Sequence, residues 1–200
     1  MADYLDGLAD LPDRPMTLKE LGTFYEGYQD DLLARFESGT KESALRTNKQ
    51  KRIREGWHAY LFGAIYGALF GCRDILTIHV CEVVDRDALI QWKNGNRIET
   101  VNLQLKELVS AKINRSSGGA DADLQKQLDD LPAQYPNATD LTVAFYMNYG
   151  NVTMTSVSEP PKLNVGALWF FGFSKPNCEE LFLVGGKGNE HNFRLTWRHI

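Results

Sequence analysis

Residues 87 to 108, DALIQWKNGNRIETVNLQLKEL, set Asn94-Gly95 between two runs in which apolar and polar residues alternate. Asn-Gly in that setting is the strongest short-range signal for a β-hairpin, because the tight turns that match strand twist need positive φ. The period of two commits both arms to strands and gives each arm two distinct faces. With Asn94 and Gly95 as the two loop residues, Lys93 pairs with Asn96, which sets Asp87 opposite Asn102 and Asp85 opposite Gln104. Cross-strand partners share a face. Asp85, Asp87, Asn102, Gln104 and Lys106 therefore gather on one face near the open end of the hairpin. Ala88, Ile90, Val101, Leu103 and Leu105 line the other, which is expected to pack on a helix.

The flanks of the hairpin supply the other elements. Thr17-Leu18-Lys19-Glu20 is a capping box, and Leu18, Leu21, Phe24, Tyr25, Tyr28, Leu32 and Phe36 follow at helical steps, which predicts a helix ending near Ser38-Gly39. A longer helix is predicted from about Glu42 to Phe70, basic over residues 46–55 and apolar over 58–71. Gly63, Gly67 and Gly71 are four apart in it; each glycine costs a helix up to about 1 kcal/mol, so the stripe predicts close approach of another backbone, with Gly71 ending the helix. Strands are predicted over 74–84, 87–93 and 97–108, then a loop over 110–122 and a helix over 123–131 closed by Pro132 and Pro136. A fourth strand spans 140–150, and the runs VTMTSVS, GALWFFGF, EELFLVGG and NFRLTWRHI read as further strands.

The expected fold class is α+β or α/β: a mixed central sheet flanked by helices, with core order αβββαβ and extra C-terminal strands. At 200 residues one domain is expected, with residues 1–40 as a helical extension, 41–150 as the core and 151–200 as added strands. An apolar share of 43% and a charged share of 24% exclude disorder of the whole chain, and a net charge of −4 leaves nucleic-acid binding to a local basic patch. Cys72, Cys81 and Cys178 lack metal-ligand spacing and read as reduced thiols. The N-terminus has neither a basic n-region nor an apolar core, and the most apolar run, Trp57 to Gly71, is 15 residues long against the ~18–20 that a membrane span needs. A cytoplasmic protein without a membrane partner is expected, so the Asn-x-Ser/Thr triplets at Asn114, Asn137 and Asn151 carry no glycans.

An aspartate opening the second core strand, a turn, and Gln104-Leu105-Lys106 on the third, in this order of elements, resemble the PD-(D/E)XK nuclease superfamily, the restriction-endonuclease-like proteins. The resemblance spans about residues 50 to 150. It implies a nuclease that holds magnesium or manganese and hydrolyses phosphodiester bonds of DNA, with RNA as the other nucleic acid and a homodimer as a common form. Carried over, Asp87 is the first metal ligand, Gln104 the second, Lys106 the catalytic lysine and Glu55 the glutamate of the preceding helix. Gln104 stands where the family has an acid, and Arg86 where it has proline. The Leu105 carbonyl completes a half-shell of hard oxygens of the kind magnesium prefers. Lys49, Lys51, Arg52 and Arg54 on the helix, with Lys112 and Arg115 in the loop after the third strand, are placed to grip a phosphate backbone.

Plainer readings stand beside these. Asp87, Gln104 and Lys106 equally describe a solvated sheet face, Glu55 the flank of a basic turn with Glu82 or Asp85 as substitute ligands, and His58 and His79 hydrogen-bonded structural histidines. Trp169, Phe170, Phe171 and Phe173 read as core residues or as stacking platforms for bases. The alternative function is a catalytically inactive nuclease-fold protein that binds protein or nucleic acid. An unrelated α+β binding domain is favoured instead if the hairpin does not abut the basic helix.

Overall fold

A computed structural model describes residues 10–36, 51–83, 86–108, 120–147, 163–174, 179–186 and 191–197. Three helices, α1 (Leu18–Phe36), α2 (Lys51–Phe70) and α3 (Ala120–Gln134), accompany eight strands: β1 (Met16–Thr17), β2 (Thr77–Val83), β3 (Arg86–Asn94), β4 (Arg97–Leu108), β5 (Ala138–Met147), β6 (Val165–Phe173), β7 (Glu180–Gly186) and β8 (His191–Thr196). All eight form one sheet in chain order, antiparallel except for β5, which runs parallel to both β4 and β6.

This corrects the expected αβββαβ core with extra C-terminal strands. Among the described residues strand outweighs helix, and the last three strands are not an addition to a compact core. β6 hydrogen-bonds along β5, and Phe171, Leu181 and Leu183, from β6 and β7, are fully buried in the same cluster as Leu61 and Phe62 of α2 and Ile78, Ile90 and Leu103 of β2–β4. One apolar layer therefore runs the width of the sheet under α1 and α2. A second, smaller layer on the opposite face joins Leu124, Leu128 and Leu131 of α3 to Leu108, Val143, Phe145 and Phe170. β5, covered on both faces, is buried without alternation from Leu141 to Met147, as a parallel strand inside a sheet must be.

The capping box forms as read. Glu20 accepts from the Thr17 amide at 2.8 Å, and its own amide donates to the Thr17 hydroxyl at 3.2 Å; the Thr17 amide, Arg14 and the Thr17 hydroxyl, all donating to the Glu20 carboxyl, hold it down to about 2. The hairpin forms with a different loop. Asn94 pairs with Arg97, so Gly95 and Asn96 are the turn, and Gly95 takes φ 61° at its first position, where a II′ turn puts glycine. Partners move by two residues, which changes who sits opposite whom while leaving every side chain on its expected face.

The glycine stripe has a mixed explanation. A Cβ on Gly63 would meet the Ile78 side chain of β2, whereas one on Gly67 would lie 2.8 Å from the Arg73 backbone. Gly71, at φ 69°, ends α2, and the Cys72 amide donates back to the Gly67 carbonyl at 2.9 Å in a Schellman closure. α3 runs past Pro132 to Gln134, longer than the sequence predicts; proline forfeits one amide, but the Tyr135 amide still donates to the Leu131 carbonyl at 2.8 Å. The predicted strand at residues 152–158 and the start of α2 before Lys51 lie outside the described residues.

Candidate functional site

At the open end of the hairpin the ladder between β3 and β4 stops at Ala88 opposite Leu103. One step further the chain direction brings Asp87 opposite Gln104, in place of the expected Asn102. The Asp87 side chain takes over where the ladder ends: its Oδ2 accepts the Leu105 amide at 2.7 Å and a hydrogen bond from the Gln104 amide nitrogen. A carboxylate can only accept, so the Gln104 side chain must present its NH2 to Asp87 and turn Oε1 away. Oδ1 of Asp87 makes no hydrogen bond among the described residues. Asp87 is 8% exposed, and burial raises its carboxyl above the ordinary value against the pull of the Leu105 amide, Lys51 and Lys106.

Lys106 follows on the same face. Its Nζ donates to Gln134 Oε1 at 2.9 Å and sits 5.3 Å from the centre of the Tyr135 ring, so the end of α3 holds it. Burial lowers its pKa, opposed by the Asp87 charge. Glu55 reaches the site from the N-terminal part of α2. Its carboxyl is pushed up to about 7, first by burial and then by the Asp87 charge, although Lys51 lies 3.3 Å away one turn earlier. Two carboxyls that each resist ionisation beside a lysine that resists protonation are the perturbed cluster expected of a site built for chemistry or for a cation.

Glu55, Asp87, Gln104 and Lys106 are thus brought together. The basic residues expected to grip a backbone are not left as a free stripe: Lys51 pairs with Glu55, Arg54 with Glu107 of β4 at 3.5 Å, and Arg52 with Asp13 at 3.0 Å while donating also to the Pro12 and Val80 carbonyls. Lys49, Lys112, Arg115 and Asp85 lie outside the described residues, and nothing is described of the Glu82 side chain. His58 is a core histidine, stacked on Tyr146 at 4.2 Å, and His79 hydrogen-bonds Asp13 at 3.1 Å. Trp169, Phe170 and Phe171 are buried, which removes them as base-stacking platforms. Gln134 and Tyr135, the holders of Lys106, carry no sequence signal of that role; only the parallel crossover β4–α3–β5 puts the end of α3 beside β4.

Among the described residues no group of three or more His, Cys, Asp or Glu side chains could hold a metal ion. Magnesium asks for less, since one or two carboxylates with water and substrate phosphate suffice. Asp87 Oδ1 and the Glu55 carboxyl are the two groups that could supply those oxygens, and the repulsion that helps raise Glu55 is what a cation between them would relieve. Gln104 adds a third oxygen only by rotating its amide. No helix among the described residues is long and apolar enough to cross a membrane.

No family model, no curated protein and no solved structure matches the chain.

Proposed function

We propose that the protein is a magnesium- or manganese-dependent nuclease of the PD-(D/E)XK kind that hydrolyses phosphodiester bonds of DNA. The observation that carries this reading is the convergence of Glu55, Asp87 and Lys106, from three different elements, with the protonation of each displaced by burial and that of Glu55 also by the Asp87 charge. Asp87 and Glu55 would hold the ion. Bound there, the ion would lower the pKa of water and offset charge growing on the phosphate. Asp87 is itself held by the Leu105 amide, so its free Oδ1 keeps one direction. Lys106, anchored by Gln134 and depressed by burial, is placed to give up a proton at Nζ more readily than a solvated lysine. Gln104 supplies no charge, so the ion would be held by two carboxylates where an acid at that position would make three.

The test is nicking of plasmid and degradation of single-stranded DNA and of RNA with magnesium or manganese, comparing the wild type with Asp87→Ala and Lys106→Ala. Metal-dependent cleavage lost in both variants supports the nuclease. Cleavage absent from the wild type, or indifferent to both changes, refutes it and leaves a catalytically inactive binding module.

A further inference from the structure

Arg86 opens β3 immediately before Asp87, in the place where the nucleases resembled carry proline. Its Nη1 donates to Asn102 Oδ1 at 3.1 Å, and the Asn102 amide nitrogen donates in turn to Asp140 Oδ2 at 3.2 Å. The order matters electrostatically. Asp140 fixes the Asn102 amide, and the amide fixes the guanidinium, but a neutral group stands between the two charges. Arg86 is half-buried, its Nε is buried with no hydrogen-bond partner, and it makes no ion pair among the described residues. Lys51, Arg52 and Arg54 are each ion-paired, although the Arg52 Nε is likewise buried without a hydrogen-bond partner, so the missing ion pair is what sets Arg86 apart. A guanidinium has five donors in a planar fork suited to phosphate, and the Asn102 carbonyl takes only one of those on the Arg86 head. Asn102 and Gln104 are alternate residues on one face of β4, about 7 Å apart, which sets the Arg86 head one such step from Asp87 and Gln104.

We infer that Arg86, oriented by Asn102 and Asp140, is a phosphate-binding residue that takes the backbone phosphate next to the one at Asp87. The inference rests on the nuclease reading of that site and adds the position that sets the strand's register across it. Arg86 is a positioning residue, and Asp140 is the residue that keeps its anchor in place without spending its charge.

The test separates binding from cutting by using EDTA, so that nothing is cleaved. Affinity for a fluorescent single-stranded oligodeoxynucleotide is measured by anisotropy over a salt series, for wild type, Arg86→Gln and Arg86→Lys. One lost phosphate contact reduces the salt slope by about 0.7 for a single strand, about an eightfold weaker complex at 50 mM salt relative to 1 M. Arg86→Gln is expected to show that reduction; Arg86→Lys, which keeps the charge and loses the fork, is expected to keep the slope and bind more weakly. Equal slope and affinity in wild type and Arg86→Gln overturn the inference. Should Arg86→Gln fail to fold, a neutral methylphosphonate moved linkage by linkage along the strand serves instead. One linkage must then cost the wild type more than its neighbours do, by a margin that Arg86→Lys reduces because the fork is lost, and a penalty that is flat along the strand overturns the inference. The two readings fail separately. Cleavage that needs Asp87 and Lys106 beside an unchanged slope in Arg86→Gln removes the phosphate position alone, whereas a reduced slope in a protein that never cleaves removes the nuclease and leaves the phosphate position.

Discussion

Replacing Glu55 by glutamine isolates the electrostatics of the site from its chemistry. Glutamine keeps the shape and imitates the protonated acid at every pH. The Glu55 carboxyl stands at about 7 in the fold against an ordinary 4.5, so between those values the folded chain holds a proton that the unfolded chain has released. Stability from this group is therefore fully present below about pH 4.5 and is lost as pH rises through about 7. At 1.36 kcal/mol per pH decade the loss reaches about 3 kcal/mol if nothing screens it. The side chain keeps 13% exposure with Lys51 beside it, which brings the expected figure to about 1–2 kcal/mol. Urea unfolding in EDTA at pH 5 and pH 8.5 should then find Glu55→Gln more stable than wild type by about that much at the higher pH, and nearly level with it at the lower. Magnesium should narrow the gap at pH 8.5, because a cation stabilises the ionised acid that the variant lacks. A gap that is the same at both pH values, or that opens in the opposite direction, refutes the claim that Glu55 is buried against Asp87.

The remaining expectations are simpler. Gln104→Glu removes the donor to Asp87 and adds a carboxylate, so magnesium should bind on the order of tenfold tighter, about 1.4 kcal/mol, by calorimetry, while the metal-free protein loses stability; unchanged affinity would show that Gln104 does not face the ion. Gly67→Ala drives a methyl into the Arg73 backbone and should cost about 1–2 kcal/mol net of its helix gain, whereas Gly27→Ala, where a Cβ meets nothing within 4 Å, should stabilise by up to about 1 kcal/mol; equal effects in thermal melts would refute the close packing at Gly67. Thr17→Ala opens the capping box and should cost about 1 kcal/mol, read as a lower urea midpoint with unchanged slope.

The residues legible from the sequence are those whose partners lie close in the chain. Thr17 and Glu20 are one helical turn apart, Gly71 follows the last turn of α2, and the arms of the hairpin meet across two residues, so local backbone geometry alone decides them. The same locality brings Asp87, Gln104 and Lys106 to one face, and it survives a loop shifted by one residue because a strand's faces repeat every two. The exact opposition of Asp87 and Gln104 needed the turn geometry, which Asn94-Gly95-Asn96 leaves open to two choices of loop.

What lies far apart in the chain was decided by tertiary structure. Alternation says that β6, β7 and β8 are strands, but a strand's pattern records which side is buried and not which strand lies beside it; hence a core with added strands was expected where one sheet of eight exists. The state of the site is likewise tertiary. Glu55 resists ionisation because α2 buries it near Asp87, and Lys106 is held by Gln134 because the crossover returns α3 over the end of β4. Lys51, Arg52 and Arg54 read as a basic stripe in the sequence and are ion-paired in the fold, while Arg86, one arginine among many in the sequence, makes no ion pair among the described residues and is held by the neutral Asn102 amide. Residue type and spacing determine which groups can share a face; burial and the neighbours that folding supplies determine their charge.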